Sequence, residues 1–112
     1  MNETRLGRPM IPQGLKDAWE KAEGLISLNS FGDALDGLRE AWDDFGDKVD
    51  HPNTWKLVGD AKAGQAREMD PVNRKLLRAA HAEYQKALKK DHKHRAARRA
   101  DSALLAELDG MG

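Results

Sequence analysis

The sequence predicts an all-α protein: about five helices in antiparallel hairpins, preceded by an extended N-terminal arm. Three observations carry that prediction. From residue 15 to residue 45 apolar side chains recur at spacings of three and four, the period of one helix face. After Pro71 neither Gly nor Pro occurs until Gly110, which leaves a long stretch without a breaker. Over 112 residues the chain is 39% hydrophobic and 34% charged with no Cys, a balance that suits one helical domain with a broad solvated surface and no disulfide frame.

Taken in order, residues 1–14 hold Gly7, Pro9, Pro12 and Gly14 and read as the arm. Leu6, Met10 and Ile11 give it apolar points with which to lie along a groove; the segment reads as a frayed terminus or, more specifically, as an arm that docks on a neighbouring subunit. A single helical domain follows over residues 15–109. The first helix, 15–28, places Leu15, Ala18, Trp19, Ala22, Leu25 and Ile26 on one face. Asn29 and Ser30 interrupt it, and Ser30 with Asp33 resembles a capping box for the second helix, 31–45. A connection that short folds the two back as a hairpin.

Gly46 to His51 reads as a turn, and Pro52 opens a third helix over 52–69. Gly59 and Gly64 each cost about 1 kcal/mol relative to Ala in a helix, so a kink or break is expected near Gly64 unless a neighbouring helix needs the close approach. Asp70-Pro71 reads as the opening of a fourth helix, 71–91, with Asp as cap and Pro in the first turn. Leu77, Ala80, Tyr84, Ala87 and Leu88 form its apolar face. Continuing that helix would carry Asp91, Arg95 and Arg98 onto the apolar face, so a break is expected between Asp91 and His94. A fifth helix, 94–109, then has the stripe Ala97, Ala100, Leu104 and Leu108, and Gly110 stops it.

Formal net charge is zero, but residues 1–70 hold nine basic and fourteen acidic side chains, while residues 71–112 hold ten basic and five acidic ones. Such a division implies one half folded against the other, head-to-tail association, or one half reading an anion, with the first of these expected. No apolar run approaches the roughly 18 residues of a membrane span, and the first residues lack the apolar stretch of a signal peptide. A cytoplasmic protein without membrane contact is therefore expected.

The first hairpin resembles a tetratricopeptide repeat. Ala22, Leu25, Ala34, Leu38 and Ala41 sit at that family's spacing of small, large, small, large, small. Trp55-Lys56-Leu57-Val58-Gly59 resembles the opening of a second unit, and Ala80, Tyr84 and Ala87 resemble its closing half. The chain departs from the pattern in having about nine extra residues between those halves, in Lys62 where an aromatic is expected, and in lacking the Pro that ends each unit. The resemblance implies protein or peptide binding on a concave face, with Trp19, Glu23 and Ile26 as contributors and the fifth helix as a cap. Read from the residues alone, Trp19 belongs to the core.

No chemistry-bearing motif is present. The three Ser residues lie outside any nucleophile elbow, and neither a P-loop nor a dinucleotide Gly motif occurs. The carboxylates between Asp33 and Asp50 lack the order of a calcium loop and read as a solvated helix face. The four His show no zinc or di-iron spacing, and His81 reads as a border residue of the fourth helix. Neither catalytic residues nor cofactors are expected. The basic segment 86–99 offers Lys86, Lys89, Lys90, Lys93, Arg95, Arg98 and Arg99 to phosphates, though no aromatic accompanies it in sequence for base stacking. The expectation is a non-enzymatic helical module that binds a protein partner, self-associates or packs into a larger assembly, with anion or nucleic-acid binding through 86–99 as the alternative.

Overall fold

The computed structural model describes residues 10–111. Five helices make up this part of the chain: α1 (Gln13–Ser27), α2 (Phe31–Phe45), α3 (Pro52–Glu68), α4 (Arg74–Lys90) and α5 (Arg95–Gly110), with a 3₁₀ turn at Gly46–Val49 between α2 and α3. The fold class is all-α, as the periodicity implies.

Several boundaries differ from the sequence expectation, each for a local reason. Gln13 and Gly14 belong to α1 and not to the arm, because the Pro12 carbonyl already accepts the N–H groups of Leu15 and Lys16. The first hairpin is not closed by a capping box, since the Ser30 side chain caps nothing. Instead Asn29 takes the left-handed conformation at φ 61°, Asn29 N–H donates to the Ile26 carbonyl and Ser30 N–H to that of Leu25. This is the paired helix-end closure in which a left-handed residue satisfies the last carbonyls. Asp70-Pro71 does not open α4. The Asn73 backbone N–H bonds back to the Ala66 carbonyl at 3.1 Å, and its side-chain oxygen caps the helix from Leu76 N–H at 3.0 Å, so α4 begins at Arg74. The break between Asp91 and His94 is present, with His94 capping α5.

Contacts along the helices fix their directions. Trp19 meets Thr54 at one end of α1 and α3, and Ile26 lies beside Gly64 at the other, so α1 and α3 run parallel. His94 bonds Asn53 and Glu107 bonds Arg67, so α5 runs parallel to α3 as well. Phe31 packs at Gly64 and Trp42 at Trp55, while Glu83 meets Lys62 and Lys86 meets Trp55, so α2 and α4 both run opposite to α3. Each helix packs on the next, and α1 and α5 also touch α3. The odd helices thus form one layer, and α2 and α4 lie on the other side.

The central helix is not kinked at Gly64. It runs unbroken from Pro52 to Glu68, and its two glycines are contact points. A Cβ on Gly59 would stand 2.6 Å from Tyr84 Cε1, and one on Gly64 would overlap the Phe31 ring. Ala61, Ala63 and Ala66 add three fully buried small residues to the same helix. One apolar cluster gathers Leu15, Trp19, Phe31, Leu38, Val49 and Leu57 at the α1–α2–α3 end. A second gathers Ala66, Leu77, Tyr84 and Leu104 where α3, α4 and α5 meet.

Two substitutions separate packing from helix propensity. Gly37, in the middle of α2, has nothing within 4 Å of a built Cβ, so Gly37→Ala is expected to stabilise by about 1 kcal/mol in urea denaturation. Gly64→Ala carries the same propensity gain but must displace the buried Phe31 ring, and is expected to destabilise by about 1–3 kcal/mol. Equal shifts in the two variants would contradict this account. Thr54→Val, which strands the buried Trp19 indole N–H, is expected to cost about 1–3 kcal/mol in the same assay.

Candidate functional site

The layer of parallel helices α1, α3 and α5 carries an open groove of about 340 Å³. Glu20 and Glu23 line it from α1, Asn53 and Lys56 from α3, and His94 from the α5 cap. Trp19 forms part of its floor but is only 8% exposed, so the ring is mainly core, as its apolar periodicity implies. Its indole N–H donates to Thr54 Oγ1 at 2.8 Å, and its ring lies 4.6 Å from that of His51. Glu23 is exposed on the groove wall. Ile26 does not share this hollow; it lies one turn further along α1, in a second depression with Phe31, Asp60 and Arg67.

Two of the arm's three apolar residues, Met10 and Ile11, lie among the described residues. Ile11 is half-buried against this chain's own first cluster, and Met10 is 77% exposed. Leu6 lies outside the described residues.

Polar contacts hold α3, α4 and α5 in register. Lys56 Nζ sits 2.6 Å from Asp60 Oδ2, and Tyr84 O–H donates to Asp60 Oδ1 at 2.5 Å. Burial pushes the Tyr84 hydroxyl far above its ordinary range, and the adjacent Asp60 charge adds to that, so it stays protonated as a donor. Arg67 forks onto Glu107 at 2.8 and 3.0 Å, joining α3 to α5, and this bonding raises the guanidinium further. His81, at the border of α4, pairs with the buried Asp101 at 2.6 Å, while Gln85 donates to the other carboxylate oxygen at 2.8 Å.

The basic segment is divided by the break between α4 and α5. Lys86, Lys89 and Lys90 gather at the end of α4, around a hollow shared with Trp55 and Asp50. Lys93 is in the turn, Arg95 and Arg99 are exposed on α5, and Arg98 bonds the His92 carbonyl. Three of the seven thus share one hollow, and the other four lie in the turn and on α5. The basic surface is not without an aromatic: the fold brings Trp55 from α3 to within 4.6 Å of Lys86 Nζ, with Trp42 5.9 Å further on. Trp55 donates its indole N–H to Asp50 at 2.7 Å and Lys90 pairs with Asp50 at 2.9 Å. The Lys90 and Trp55 hydrogen bonds hold the Asp50 carboxyl below its usual range. Glu83 is buried between Lys62 at 2.5 Å and Lys86 at 3.1 Å, the latter a charge contact without hydrogen-bond geometry on Oε1. Beside these groups Leu35, Leu38 and Val58 floor an apolar cleft of about 300 Å³ bordered by Trp42 and Trp55. A sequence reader could have noticed Trp42 and Trp55 only as core positions, because what joins them to the lysines is the packing of α2 and α4 against α3.

Among the described residues no group of three or more His, Asp or Glu gathers as a metal site, and no helix is long and apolar enough to cross a membrane. Neither a protein-family model, a curated protein nor a solved structure matches this chain.

Two histidines hold the groove's rim by an unusual use of the ring. His51 Nδ1 accepts the Asn53 N–H at 3.1 Å to cap α3, and His94 Nδ1 accepts the Ala97 N–H at 3.1 Å to cap α5. With Nδ1 accepting, His94 Nε2–H donates to Asn53 Oδ1 at 2.8 Å, which ties the two helix starts together. Burial, helped by the neighbouring His94, lowers the His51 pKa from 6.5. Protonation is therefore easier in the unfolded chain. The cap's contribution is complete above about pH 6.5 and declines as pH falls through the lower folded-state value. His51→Asn, which caps without titrating, is expected to flatten that decline in thermal unfolding measured between about pH 7.5 and pH 5; an unchanged slope would exclude His51 as its source.

Proposed function

We propose that this chain is a non-enzymatic helical interaction module that receives a segment of a protein partner in the groove across α1, α3 and α5. The observation that supports this most is the groove's construction: three parallel helices, pinned to one another by Trp19–Thr54, His94–Asn53 and Arg67–Glu107, with an open surface of mixed charge between them. A preformed surface on rigid elements lowers the ordering cost of binding. Lys16, Glu20 and Glu23 on the α1 wall and Lys56 on the α3 wall offer both signs of charge to a peptide backbone and its side chains.

The tetratricopeptide-like reading of the hairpins accords with this use. In such an arrangement alternate helices line the binding side, and Trp19 and Glu23 both border the groove. Ile26, in the adjoining depression, would extend the contact along α1. α5, packed on both α3 and α4, takes the place of a terminal helix that covers the last hairpin.

The test is capture from the native source with the wild-type chain and with Lys16→Glu/Glu23→Lys, two exposed positions on the groove wall. A partner retained by the wild type and lost by at least about tenfold in the variant is expected, the loss corresponding to about 1.4 kcal/mol or more. A partner held equally by both would place binding elsewhere, and thermal unfolding of the variant checks that its fold is intact.

A further inference from the structure

The opposite side of the molecule carries a surface the groove does not use. α2 and α4 run parallel there, with the apolar cleft between Trp42 and Trp55 along the seam. Trp42 is 45% exposed, an unusual cost for a large ring above a cleft floored by Leu35, Leu38 and Val58. On one flank α2 presents Asp36 and Asp43, with Arg39 between them and the cleft. On the other flank α4 presents Arg78, Lys86 and Lys89, and its one carboxylate, Glu83, is buried. The surface is thus an apolar strip with acid along one edge and base along the other.

We infer that this face binds a second copy of the chain, as a closed dimer with its two-fold axis along the Trp42–Trp55 seam and parallel to the helices. Such an axis turns each face onto the other and exchanges left with right. The acidic flank of one copy then lies over the basic flank of the other, twice, and the two apolar strips meet in the middle. Position along the helices is preserved by this axis. Asp43, beside Trp42, lies level with Lys86 and Lys89, because Trp42, Trp55 and Lys86 are in contact across the seam. Asp36, about two turns back along α2, lies level with Arg78, back by a similar distance along α4. Each Trp42 ring covers the cleft of the other copy. The zero net charge of the chain means that two copies meet without overall repulsion.

A single-stranded nucleic acid fits the same surface less well. One side of the Trp55 ring is taken by Lys86 and another by Trp42, which leaves neither side open to a stacked base. The cleft accepts an apolar side chain rather than a phosphate.

Sedimentation equilibrium of the full chain at low salt, up to a few hundred micromolar, is expected to approach twice the monomer mass and stop there, and to return towards the monomer as salt rises. Two charge-reversed variants decide the geometry. Asp36→Lys/Asp43→Lys and Arg78→Glu/Lys89→Glu change only exposed positions and are each expected to be monomeric, whereas an equimolar mixture restores the dimer, with at least a tenfold gain in affinity over either alone. A wild-type chain that stays monomeric, assembles beyond the dimer, or binds a labelled single-stranded oligonucleotide in preference to itself overturns the proposal, as does a mixture that remains monomeric. The groove face is untouched by these substitutions, so loss of the partner there and loss of the dimer here are separately readable.

Discussion

The structure depends on the slenderness of α3. With Gly59, Ala61, Ala63, Gly64 and Ala66 buried along it, this helix offers little bulk of its own, and its neighbours reach close to its backbone. Phe31 from α2 and Tyr84 from α4 each set an aromatic ring against one of its glycines, at two levels of the same helix. In effect the large side chains that a central helix would ordinarily supply are supplied by the helices around it. The close packing that results is dispersive and specific in volume, so it tolerates neither an added methyl at Gly64 nor a smaller ring at Phe31. α1 and α5 also rest on α3, which makes it the element through which both apolar clusters are continuous.

Small-residue contacts hold helices close but say little about register, since one Ala stripe slides over another at small cost. Buried and half-buried polar groups do that work in this chain. Lys62–Glu83 and Tyr84–Asp60 set α4 along α3, His81–Asp101–Gln85 sets α5 along α4, and Arg67–Glu107 sets α5 along α3. Burying Glu83 and Asp101 carries a desolvation cost that these bonds offset rather than exceed, so their gain lies in selecting one alignment over its neighbours. The same devices place Trp55 against Lys86 and keep the groove's two helix starts level through His94 and Asn53.

What could be read from the sequence follows from the range of the forces involved. The period of Leu15, Trp19, Ala22, Leu38 and Leu104 reports a local geometry, and all five are buried as the pattern implies. The break after Lys90 was legible because Arg95 and Arg98 would otherwise have faced the core. Helix ends were less so, because several residues compete for them: Ser30 and Asp70 carry the right side-chain chemistry, but Asn29 and Asn73 win through backbone bonds to Ile26 and Ala66 that depend on the folded turn. His51 and His94 are not legible as caps, because an imidazole serves that role only in one tautomer and one ring orientation. The groove and the Trp42–Trp55 cleft are products of α1, α3 and α5 lying side by side and of α2 and α4 flanking α3, and no local pattern encodes that juxtaposition.

The division of charge between the halves takes on a different meaning once the pairs are traced. If one half folded against the other to match it, the excess acids before residue 70 would pair with the excess bases after it. Among the described residues the cross-pairs mostly run the other way: Lys62 and Arg67, bases of the acidic half, pair with Glu83 and Glu107, acids of the basic half. Only Lys90–Asp50 follows the division. Internal pairing therefore consumes the minority charges and leaves the majority ones outward, acid on α2 and base on α4. A chain under selection only for its own fold has no reason to keep two complementary fields on adjacent helices of one face, since each field repels itself and gains little from the other across an intervening apolar seam. Their placement there is intelligible if the compensation comes from outside the fold, from a surface that presents the same two fields in exchanged order.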